Sequence, residues 1–62
     1  MGARVRAARL AKGLSQEELA ERSGLHRNYI GGIERGERNV GVLALIELGR
    51  ALDVSPATFL AH

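Results

Sequence analysis

The run Leu14-Ser15-Gln16-Glu17-Glu18-Leu19 fixes a helix start to a single residue. Ser15 can stand at the N-cap, its hydroxyl accepting from the backbone N–H of Glu18 while the Glu18 carboxylate reaches back to the N–H of Ser15. Leu14 and Leu19 occupy the two positions of a hydrophobic staple, which sets the angle at which the chain enters the helix. Glu17 and Glu18 also suit the positive end of the helix dipole. The helix should run to about Ser23, because Gly24 can take the left-handed conformation just past a helix end.

The rest of the chain is punctuated in the same way. A first helix is expected from about Ala3 to Lys12, rich in alanine and arginine and stopped by Gly13. A third should run from about His26 to Arg35 and stop at Gly36. It contains Gly31 and Gly32, each costing about 1 kcal/mol relative to alanine inside a helix. Close helix packing or a close approach to a ligand must compensate, and both readings stand. Glu37 to Gly41 reads as a loop, Val42 to Leu52 as a fourth helix, and Ser55-Pro56 as the cap and first residue of a fifth that carries Phe59 and Leu60. No segment alternates apolar and polar residues as a half-buried strand would. The expectation is an all-α fold of five short helices in one domain, residues 1–62.

A domain this short buries only about 60% of the surface its unfolded chain exposes. Such domains usually need a disulfide, a metal or a partner chain. The chain has no cysteine, and its two histidines, His26 and His62, lie far apart without a nearby ligand set, so neither a metal nor a cofactor is expected. A partner chain is the favoured supplement, and the fourth helix suggests where it binds. That helix is apolar nearly all round, with only Glu47 and Arg50 charged, and a helix of that kind is buried on more than one side. Leu45, Leu48 and Leu52 repeat at helical spacing and should face the core. Leu43 and Ile46 then point away and, with Val40, Val42 and Phe59, should form a homodimer interface within a dimerisation region of about residues 40–62.

Charge is unevenly placed. Residues 1–39 hold eight of the nine Lys/Arg and five of the seven acids, a net of +3, whereas residues 40–62 carry a net of −1. The basic part suits a polyanion. No apolar run approaches the ~20 residues needed to cross a membrane, and the N-terminal Met1-Gly2-Ala3-Arg4 has no apolar run behind it. A cytoplasmic protein without a membrane partner is expected.

A helix, a tight turn at Ser23-Gly24-Leu25 and a second helix have the spacing of a helix-turn-helix unit, about residues 15–35. Leu19, Leu25, Ile30 and Ile33 can converge inward, Ala20 is small where two helices must approach, and His26, Arg27, Asn28 and Tyr29 cluster at the start of the second helix. In such units those positions meet base edges in the major groove. The runs Gly13 to Leu25 and Tyr29 to Asn39, with Ala51-Leu52-Asp53-Val54-Ser55 and Phe59-Leu60, resemble the Cro and phage-repressor (xenobiotic response element) superfamily. The likeness extends from about Val5 to Leu60. Within that superfamily, Arg27 to Asn39 most resembles restriction–modification controller proteins.

The resemblance implies a lambda-repressor-like DNA-binding domain and roles for particular residues. Gln16 would bind a phosphate. Arg27 and Asn28 would read bases, arginine suiting guanine and asparagine adenine. Tyr29, Arg35, Arg38 and Asn39 would lie along the DNA backbone. Arg9 and Glu34 would form a structural ion pair, the alternative for Glu34 being a contact with RNA polymerase, a candidate further partner. Three positions depart from the family pattern. Gly32 stands where a base-reading side chain is frequent, which narrows readout or lets the helix sit deeper. His26 replaces a capping serine or threonine, implying a weaker cap, and Val40 replaces a frequent proline.

The leading expectation is a dimeric transcriptional regulator of double-stranded DNA, with a near-palindromic operator and no small-molecule effector. An antitoxin-like module that binds another chain through the fourth helix is the alternative. An enzyme is not expected. No glycine-rich phosphate loop or nucleophile with its base is visible, and Ser15 and Ser55 are explained as caps.

Overall fold

The computed structural model describes residues 1–60. Four α-helices, α1 (Gly2–Ala11), α2 (Gln16–Ser23), α3 (Arg27–Glu34) and α4 (Val42–Leu52), are followed by a 3₁₀ turn, Pro56–Leu60. Ala61 and His62, the last residues of the expected dimerisation region, lie outside the described residues. No described helix is long and apolar enough to cross a membrane.

Local chemistry accounts for the boundaries. At the start of α2, the Glu18 N–H donates to Ser15 Oγ (3.0 Å) and the Ser15 N–H to Glu18 Oε1 (2.9 Å). The backbone N–H of Ser15, then its hydroxyl, holds the Glu18 carboxyl below its ordinary value. Helix α1 closes in a Schellman arrangement: the Gly13 N–H donates to the Leu10 carbonyl and the Leu14 N–H to that of Arg9, with Gly13 at φ +74°. Helix α4 closes in the same way with Asp53 at φ +59°, a conformation that aspartate tolerates better than most residues.

The fifth helix is corrected to a 3₁₀ turn. Ser55 Oγ accepts from the Ala57 N–H (3.3 Å), much as expected of a cap. The turn itself spans five residues, and a segment that short gains little from α-helical geometry.

Val5, Leu14, Leu19, Ile30, Ile33, Leu48, Leu52 and Phe59 form one core, with Leu25, Tyr29, Val40 and Leu45 packed at its edge. Phe59 is therefore a second correction. Expected at a dimer interface, it is 1% exposed within the protomer, on a turn that touches both α1 and α4. An aromatic side chain removes more apolar area from water than any neighbour on that segment, so a small domain gains most by turning it inward. At the opposite end, α1 begins so close to the last turn of α3 that a Cβ on Gly2 would overlap the carbonyl oxygen of Ile33.

Candidate nucleic-acid interface

Helix α2 ends at Gly24, left-handed at φ +75°. The Leu25 N–H then donates to Ser23 Oγ (3.2 Å), so the turn is held by the last side chain of the helix it leaves. His26 caps α3: its Nδ1 accepts from the Asn28 N–H at 3.2 Å. An imidazole nitrogen thus stands in the capping position where serine or threonine is frequent. Arg27 and Asn28, the first two residues of α3, are exposed.

A charged cluster joins α1, α2 and α3. Arg9 of α1 grips Glu34 of α3 through two parallel bonds, Nε to Oε2 (2.7 Å) and Nη2 to Oε1 (3.0 Å), while its Nη1 donates to the Leu14 carbonyl (2.9 Å). Gln16, the first residue of α2, donates its Nε2 to the same Glu34 Oε1 (3.1 Å). The Arg9 and Glu34 side chains are 10% and 2% exposed. Burial alone pushes the Glu34 carboxyl up, but the bonds from Arg9 and Gln16 and the charges of Arg9 and Arg6 outweigh it and hold the group below its ordinary value. The bond to Glu34 raises Arg9 against its own desolvation. This bidentate, satisfied geometry is the one in which a buried pair can hold.

The remaining polar residues surround α3. Arg35 pairs with Glu37 (3.1 Å), and its guanidinium lies over Gly31, whose absent Cβ would sit 3.0 Å from Arg35 Nη1 and 3.6 Å from Gln16 Oε1. The Arg38 stem lies over Gly32, with Cγ and Cδ both 3.0 Å from the corresponding Cβ position. Gly32 is buried. It is a seat for an arginine of the following loop. Tyr29 Oη donates to the Asn39 carbonyl and accepts from the Gly41 N–H, both at 3.4 Å, so it braces the loop that carries Arg38 and Asn39.

Glu17 does more than sit at the positive end of the α2 dipole. Its Oε2 lies 3.4 Å from Arg27 Nε. The pair spans the turn between helices, where no periodic spacing signals contact.

On α4, Val42, Leu43 and Ile46 are 74%, 79% and 39% exposed. Ile46 also borders an open groove with Val54 and Pro56. Val40 is half-buried against the protomer core.

The helix-turn-helix family profile matches residues 5–59. The control protein C.SmaI of Serratia marcescens is 59% identical over 51 residues, covering 82% of this chain and 61% of that protein, so the chain spans about three-fifths of that relative's length. The crystal structure of the restriction–modification controller protein C.AhdI from Aeromonas hydrophila superposes with a TM-score of 0.89 at 54% identity, over 92% of this chain and 86% of that one. SinR, a master regulator for biofilm formation solved in complex with DNA, superposes at a TM-score of 0.93 and 38% identity over 97% of both chains.

Proposed function

Because the chain belongs to the helix-turn-helix family, we propose that it is a sequence-specific regulator of transcription that binds a near-palindromic operator as a homodimer. The carrying observation is the pair of exposed residues Arg27 and Asn28 at the capped start of α3, on a frame held rigid by Arg9, Glu34 and Gln16. In docked helix-turn-helix units the start of the second helix meets base edges. Arg27 suits guanine O6 and N7 and Asn28 adenine N6 and N7. Gln16, Tyr29, Arg35, Arg38 and Asn39 take phosphates around them and set the register.

Two features support a dimer. The longest extent of the protomer is 26 Å, shorter than the about 34 Å between successive major-groove faces. One protomer therefore serves one half-site. The exposed Val42, Leu43 and Ile46 supply a self-complementary apolar surface on α4. Phe59 has no part in it. Likeness to the controller proteins C.SmaI and C.AhdI makes the genes of a restriction–modification system the favoured target.

Selection from a random duplex pool at two salt concentrations tests this reading. Enrichment of an inverted repeat, with affinity falling steeply as salt rises, is the expected result. Failure of folded protein to enrich any sequence would overturn it in favour of an α4-directed module for a different chain.

A further inference from the structure

We propose that Glu17 is a positioning residue for sequence readout, aiming the guanidinium of Arg27 so that only its terminal edge is offered to a base. The inference rests on the reading of Arg27 as a base contact. Glu17 is the second residue of α2 and Arg27 the first of α3. The turn between the helices brings Glu17 Oε2 to 3.4 Å from Arg27 Nε, with side chains 68% and 53% exposed.

Guanidinium is a planar fork of five N–H donors. Two adjacent donors are needed to engage guanine O6 and N7 together, and a free arginine can offer either the Nε side or the terminal Nη1/Nη2 edge. A carboxylate near Nε, held by charge at 3.4 Å, draws the first toward itself and leaves the second outward. The long side chain is also restricted before DNA arrives, which lowers the ordering cost of binding. Glu17 carries a negative charge on a face that must meet phosphates, so it weakens attraction to every duplex alike. Its presence lowers general affinity and raises discrimination, whereas a solvated acid serving only the helix dipole would do nothing to base preference.

The test uses the protein, Glu17→Gln, Arg27→Ala and the double variant. Each is titrated by fluorescence anisotropy against the selected operator, operators with single base pairs exchanged, and an unrelated duplex. Arg27→Ala should relax preference at one position per half-site by about fivefold or more. Glu17→Gln should relax the same position by about two- to fivefold, the scale of an exposed ion pair, while binding the unrelated duplex more tightly. In the Arg27→Ala background, Glu17→Gln should no longer change that position. Thermal unfolding of Glu17→Gln should stay cooperative and show only the small loss expected of one acid at a helix start, which separates positioning from folding.

If Arg27→Ala relaxes a position and Glu17→Gln does not, the positioning role is refuted while the base-reading role of Arg27 stands. A Glu17→Gln effect that persists without Arg27, or that falls on a different position, would assign Glu17 a direct base contact and likewise overturn the proposal. If Arg27→Ala relaxes nothing, the base-reading role and the proposal that rests on it fall together.

Discussion

Replacing Glu34 with alanine should be among the most damaging single changes in the chain. The carboxylate accepts two bonds from Arg9 and one from Gln16, with the Glu34 side chain 2% exposed. Removing one partner of a buried pair leaves an uncompensated charge and costs about 3–5 kcal/mol. Arg9 keeps its bond to the Leu14 carbonyl, so the lower end, about 3 kcal/mol, is the expected loss. Domains hold roughly 0.05–0.15 kcal/mol per residue, which for this chain is roughly 3–9 kcal/mol in all. Urea unfolding followed by circular dichroism reads the change as a lower midpoint at unchanged slope. The double variant Arg9→Met with Glu34→Leu should recover much of the loss, since two apolar groups of similar size leave no orphaned charge. A cost below about 1 kcal/mol for Glu34→Ala would mean that the pair behaves as an exposed one and would refute the reasoning.

The same carboxylate sets a pH dependence. Its pKa is depressed in the folded protein relative to the ordinary 4.5, so its stabilisation is fully present above that value and is lost as pH falls through the lower folded value. Urea midpoints should therefore fall on acidification below pH 4.5, and less steeply in Glu34→Gln. Leu43→Glu should leave the protomer folded, because Leu43 is 79% exposed, but should give monomers in sedimentation and weaker operator binding. A dimer that survives this change would remove α4 from the interface. Asp53→Gly relieves a left-handed residue at φ +59° and should raise the thermal midpoint by the equivalent of about 0.5–1 kcal/mol. A lowered midpoint would show that the aspartate side chain contributes more than its backbone strain costs.

The elements set by neighbouring residues were legible from sequence. The capping box at Ser15 and Glu18 and the glycine stops at Gly13, Gly24 and Gly36 are contacts within a few positions, so residue order alone encodes them. Contacts made across turns were harder to read. Phe59 looked available to a partner because nothing in five residues says which way a short turn points, and only the gap between α1 and α4 decides it. Arg38 returns over Gly32 from six residues on, through loop geometry that no period describes. Glu17 and Arg27 meet for a similar reason. His26 failed a rule written for hydroxyls although its Nδ1 is an equally placed acceptor. The Arg9–Glu34 pair was anticipated through family likeness, whereas the bond from Gln16 to the same carboxylate was not.

That shared carboxylate has a consequence for how such a protein can be retargeted. The bonds that lock α1, α2 and α3 together are made by Arg9, Gln16 and Glu34, while Arg27 and Asn28 are exposed and take no part in them. If Arg27 and Asn28 read bases as proposed, exchanging them changes the preferred operator and leaves the scaffold intact, so new binding specificities become accessible in single steps without a loss of folding. Gln16 is the exception. It belongs to the scaffold through Glu34 and, on the proposed reading, to the phosphate contacts, so substitution there would change both properties together.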